Sequence, residues 1–170
     1  MLILEVIFTL LILYLVVVWV LPRVWFPHLR IKTTNLEIPT DLRKIIDKYT
    51  SESSDDAIFL KKVMDLLKER YEYGHFYMYF FPARWFENDL KRIWNDRKPQ
   101  MCTVSSYLFE SILIYSGRFR RKHLKRVTIF TNFSMHQYTE ITTKKRQKII
   151  CDPWAYGMGL NFNKKPSYFV

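Results

Sequence analysis

Three residues in this chain have the types and the order that nucleophilic acyl transfer requires: Cys102, His136 and Asp152. A thiolate attacks a carbonyl, an imidazole carries the proton, and a carboxylate holds the imidazole in one tautomer. Local pattern decides whether they can meet. Downstream of Cys102, the residues Tyr107, Leu108, Ser111, Ile112 and Tyr115 recur at helical spacing, and Gly117 is suited to end the helix. Cys102 is therefore expected at or just before the N-terminus of a buried helix. Unpaired N–H groups and a partial positive charge at that end favour a thiolate and can hold a developing oxyanion.

His136 and Asp152 need a hairpin. Ser134 to Thr142 and Gln147 to Asp152 read as strands, with Thr143 to Arg146 as the turn. A turn centred on Lys144 sets His136 opposite Asp152, Tyr138 opposite Ile150 and Glu140 opposite Lys148. Directly opposed Cβ atoms lie about 4.5–5.5 Å apart, close enough for the carboxylate to accept a proton from one ring nitrogen. A slip of one residue would send the two side chains to opposite faces. The same alternation turns Cys151 away from Asp152, so Cys151 reads as buried structure. Taken singly, each residue also has an ordinary reading: a small buried Cys, a packed His, an Asp-Pro turn.

The elements upstream must form a frame for this site. Ile31 to Pro39 reads as an extended linker, and Thr40 or Asp41 caps a helix to about Tyr49. After a polar break at Ser51 to Asp56, a longer helix runs to about Tyr73. It carries Leu60, Val63, Met64, Leu67 and Tyr71 on one face, and Gly74 stops it. His75 to Trp85 is strongly aromatic and fits a cleft wall or core packing equally. Asn88 or Asp89 starts another helix with Leu90, Ile93 and Trp94 inward, and Asp96 to Gln100 is a loop. After Gly117, Val127 to Phe130 is β-prone and Lys164 to Val170 is a tail. Helices followed by strands indicate an α+β domain.

The 170 residues are about half apolar and rich in aromatics, which excludes a disordered chain. Two cysteines are too few for a disulfide scaffold. A formal charge of +11 favours anionic partners. Leu2 to Leu21 is apolar except for Glu5 and Thr9, and Pro22 ends it. It has neither the basic start nor the small-residue end of a cleaved signal peptide. The reading is one retained transmembrane helix over 1–22, with Trp19, Trp25 and Phe26 at the interface. A juxtamembrane linker and short helix then occupy 23–50, and the domain 51–170. Arg23, Arg30 and Lys32 follow the span, which places the domain on the cytoplasmic side of the membrane. The basic run Arg118–Arg126 would then contact anionic lipid.

Three blocks carry a resemblance to a known family. Met101-Cys102 opens a helix, His136-Gln137-Tyr138-Thr139-Glu140-Ile141 forms a strand, and Ile149-Ile150-Cys151-Asp152-Pro153-Trp154 ends a strand in Asp-Pro. Together they resemble the signature blocks of the transglutaminase-like, papain-related superfamily, over roughly Asp55 to Gly159. Tyr71-Glu72-Tyr73 is similar to the region before that family's catalytic helix. Pro99-Gln100-Met101 departs from the small residue often found before the family's Cys, and Tyr138 stands where a Trp is common. The resemblance implies a transglutaminase-like or papain-like fold with a catalytic helix packed on an antiparallel sheet. It also implies Cys102 as nucleophile, His136 as general base and acid, and Asp152 as its orienter. Gln100 and Met101 are candidates for oxyanion or substrate binding.

The expected activity is therefore that of a membrane-anchored thiol hydrolase or acyltransferase acting on a protein, peptide or amide through a thioester. No cofactor, no metal and no specific nucleic acid are expected. The rival readings differ in class. Cys102, His136 and Asp152 could be metal ligands, but zinc-type paired spacings are absent. The basic runs could bind nucleic acid, but no recognised motif accompanies them. A catalytically inactive domain of the same fold could act as a membrane-associated interaction module.

Overall fold

The computed structural model describes residues 2–24, 29, 36–74, 81–98, 100–130 and 135–166. Among them are six α-helices: α1 (Leu2–Val24), α2 (Thr40–Glu52), α3 (Asp56–Arg70), α4 (Leu90–Asn95), α5 (Cys102–Tyr115) and α6 (Pro153–Gly157). Three strands, β1 (Leu124–Phe130), β2 (Met135–Thr142) and β3 (Lys148–Cys151), form one antiparallel sheet in the order β1-β2-β3. Parts of the sequence reading lie outside the described residues: most of the aromatic segment (75–80), Pro99, Trp25, Phe26, Arg30, Lys32 and the end of the tail (167–170).

Each helix boundary has a local cause. The Asp55 carboxylate caps α3 by accepting from the Ile58 N–H at 2.8 Å. Asp89 caps α4 through the N–H groups of Lys91 and Arg92. Gly74 and Gly117 adopt positive φ beyond α3 and α5, which a side chain would resist. The stripe of Leu60, Val63, Met64 and Leu67 on α3 is buried, as is Tyr71 just past its end. Tyr71 donates its hydroxyl proton to the Ile93 carbonyl, and burial pushes that phenol up to about 12. Trp94 donates from its indole to Asp41 at 2.6 Å, fastening α4 to α2.

α5 is the centre of the molecule. Every residue from Cys102 to Leu113 is buried. It packs against β2, α6, α3 and α4. Its one charged side chain, Glu110, receives both guanidinium arms of Arg126 from β1, at 3.1 and 2.6 Å. Thr139 of β2 donates to the same carboxylate at 2.8 Å. A buried charge needs such partners, so this network fixes how the helix sits on the sheet.

Two expectations are corrected. Among the described residues, no helix is long and apolar enough to cross a membrane. The described residues thus form a small α+β structure of six α-helices and three strands, and none of those helices is the transmembrane helix expected over 1–22. The expected localisation, a single-pass membrane protein with its domain on the cytoplasmic side, rested on that span and falls with it.

The hairpin register is the second correction. Thr139 pairs with Cys151, Glu140 with Ile150 and Thr142 with Lys148, so the strands slide by two residues from the pairing expected around Lys144. The Thr143 N–H donates to the Gln147 carbonyl at 2.9 Å, closing a three-residue loop over 144–146. Arg146 takes φ 60° there, the left-handed position of such a loop. Glu140 therefore faces Ile150, and its ion pair is with Lys125 of β1, its partner across the other edge, at 4.0 Å. A slide of two keeps every side chain on its original face.

Candidate active site

Cys102, His136 and Asp152 converge from three different elements. Each is 5% exposed or less. Cys102 is the first residue of α5. His136 is the second residue of β2, opposite Ile129 of β1. Asp152 follows β3 directly and caps α6. Both of its oxygens are engaged: Oδ1 accepts from the Ala155 N–H at 3.0 Å, and Oδ2 lies 2.5 Å from His136 Nε2. Pro153 suits the first position of α6, where its missing N–H costs nothing. The Asp-Pro step is thus both a helix start and the support of the imidazole.

With Nε2 held by Asp152, Nδ1 is the ring nitrogen left to face Cys102, whose thiol is near enough to act on the imidazole. Burial alone would push the imidazole down. The hydrogen bond to Asp152 and the nearby Cys102 thiol, with the charges of both, outweigh it and raise His136 to about 10. The ring stays protonated across neutral pH. Trp154, two residues beyond Asp152, lies against it, with ring centroids 5.2 Å apart and planes tilted by 48°. It covers the His–Asp pair on one side, and only the Trp following Asp-Pro hinted at this in the sequence.

The α5 N-terminus supplies the remaining part. Its N-cap, Met101, makes no side-chain capping bond, so no side chain occupies the first-turn N–H groups from that position. Those groups adjoin Cys102 and have the polarity an oxyanion needs. Gln100, a candidate oxyanion residue, does otherwise: its side-chain N–H donates to the Lys98 carbonyl at 3.1 Å. Its backbone N–H donates to the Glu72 carbonyl at 3.2 Å, tying the approach to Cys102 onto the end of the Tyr71-Glu72-Tyr73 segment. Met101 is buried against Trp85.

Cys151 is fully buried and unbonded to another Cys. Burial, aided by the adjacent Asp152 charge, pushes its thiol well above the usual range. The basic run after α5 is divided. Arg118 is turned inward, donating to the Thr50 and Ser53 carbonyls and pairing with Asp56 at 3.5 Å. Arg126 is held by Glu110. Arg120, Arg121, Lys122 and Lys125 are exposed. Among the described residues, no cluster of three or more His, Cys, Asp or Glu side chains is arranged to hold a metal ion. No protein-family model matches the chain, and no curated protein or solved structure matches it.

Proposed function

We propose that this protein is a cysteine-dependent hydrolase or acyltransferase acting on an amide or peptide carbonyl. The observation that carries the reading is one imidazole, His136, bonded at 2.5 Å to a buried carboxylate and near enough to a helix-start thiol to be influenced by it. The likeness of the three sequence blocks to the transglutaminase-like superfamily adds support. In the proposed reaction the thiol proton resides on His136 while sulfur bonds to the carbonyl carbon. The oxygen takes the electron pair beside the α5 N-terminal N–H groups. Collapse breaks the C–N bond, and the amine leaves with the proton from His136, giving a thioester. Water then releases an acid, or an amine forms a new amide.

The test is the pH profile of Cys102 alkylation by iodoacetamide, read by mass spectrometry, in the chain and in His136→Ala. Labelling well below pH 8.5 is expected, slowed at least tenfold in the variant. Cys151, buried in the same molecule, is expected to label far more slowly. A Cys102 of ordinary reactivity, indifferent to His136, would overturn the proposal.

A further inference from the structure

A cleft of about 340 Å³ is lined by Gln100, two residues before Cys102 in the chain, and by residues of the 3-10 turn at Pro82–Phe86 and of α4. That volume lies at the small end of the range for ligand sites, roughly 300–1,000 Å³, and suits a short segment of chain. One hydrogen bond and one short stretch of chain link the cleft to the Cys102 end of α5. The Thr103 hydroxyl donates to the Trp85 carbonyl at 3.4 Å, holding the 3-10 turn onto the start of α5. Gln100 is only two residues from Cys102, so their Cα atoms are at most about 7 Å apart.

Its charges do not balance. Glu87 is taken by Arg92, whose guanidinium donates to it at 3.3 Å. Asp96 stands between Arg84 and Lys98, 3.7 Å from each, longer than a hydrogen bond in both cases. Two cations thus share one carboxylate, beside the apolar side chains of Ala83 and Ile93. Part-exposed cations with spare donors attract a further anion, and guanidinium geometry suits a carboxylate.

Resting on the proposed thiol chemistry, we propose that this cleft selects the substrate: Arg84 and Lys98 take a carboxylate, an acidic side chain or a free chain end, within one or two residues of the carbonyl that Cys102 attacks. Asp96 occupies the two cations when the cleft is empty and competes with the incoming group.

The experiment compares iodoacetyl dipeptides carrying Glu with matched probes carrying Gln. It measures the second-order rate of Cys102 alkylation by mass spectrometry and takes the Glu/Gln ratio within each variant. The ratio does not depend on how reactive the thiol is, so a sluggish Cys102 counts against the proposed function and leaves the cleft decidable. A ratio of roughly three to five is expected, as for part-exposed charge pairs, falling at high salt. Arg84→Gln combined with Lys98→Gln should bring it to about one. Asp96→Asn should raise it above wild type, a gain that a damaged fold does not give. Because the net charge of +11 attracts any anion, Lys144→Gln with Lys148→Gln, remote in the hairpin, serves as control and should keep the ratio. A wild-type ratio near one overturns the proposal, as does a ratio that falls equally in the remote variant.

Discussion

At the residue scale, the two cysteines make a built-in comparison. Cys102 starts a helix and contacts an imidazole, whereas Cys151 ends a strand with no exposed surface. Cys102→Ala should abolish turnover, and Cys151→Ser should retain most of it while lowering stability through a buried hydroxyl. Equal loss of activity would assign the wrong nucleophile. Asp152 is a positioning residue, since it acts through His136. In Asp152→Asn the amide can still accept from Ala155 and keep α6 capped, but a neutral amide no longer favours the imidazolium. Turnover should fall by about 10³–10⁴, as when an orienting carboxylate is lost elsewhere. The alkaline limb of the pH profile, where His136 loses its proton, should also move to lower pH, a shift that a merely loosened fold would not produce.

Among the elements, α5 carries both the nucleophile and the charge network that seats it. The side chains of Glu110 and Arg126 are 8% and 7% exposed. Glu110→Ala would leave the guanidinium buried without its carboxylate, and a loss of about 3–5 kcal/mol is expected from urea denaturation. Replacing both, as Glu110→Leu with Arg126→Met, should recover much of it, since no unpaired charge remains. Little of this was legible in advance, because Glu110 and Arg126 meet across a helix–sheet contact that no local spacing encodes. What could be read was local: the α3 stripe, the cap at Asp89, Cys102 at a helix start. The hairpin lies between these cases. Its alternation put His136 and Asp152 on one face, and that survives a two-residue slide, but the slide itself follows from Arg146 adopting a left-handed φ that a non-glycine residue does not announce. The apolar N-terminal run illustrates the opposite hazard. Composition there suggested a span, yet no described helix is long and apolar enough to cross a membrane.

For the whole molecule, the site is also a joint. His136 on β2, Asp152 between β3 and α6, and Cys102 on α5 meet at one imidazole, so its protonation bears on how these elements hold together. The folded chain holds the His136 proton to about pH 10, against 6.5 for a free imidazole. Between those values the native state binds more protons than the unfolded chain, so stability must fall as pH rises. The contribution is fully present below about pH 6.5 and is lost as pH climbs through about 10. Cys151 and Tyr71, whose ionisation burial resists, act in the same direction but from about pH 9 upward. The window from pH 6.5 to 9 therefore isolates His136. Urea denaturation of Cys102→Ala, alone and combined with His136→Gln, takes the neighbouring thiol out of both chains and leaves Asp152 as the partner that raises the imidazole. The stability advantage of the His-bearing chain should shrink by roughly 1–2 kcal/mol from pH 6.5 to 9. A difference that stays flat across that range would mean that the His136–Asp152 contact does not hold its proton, and the acid–base role given to His136 would lose its physical basis.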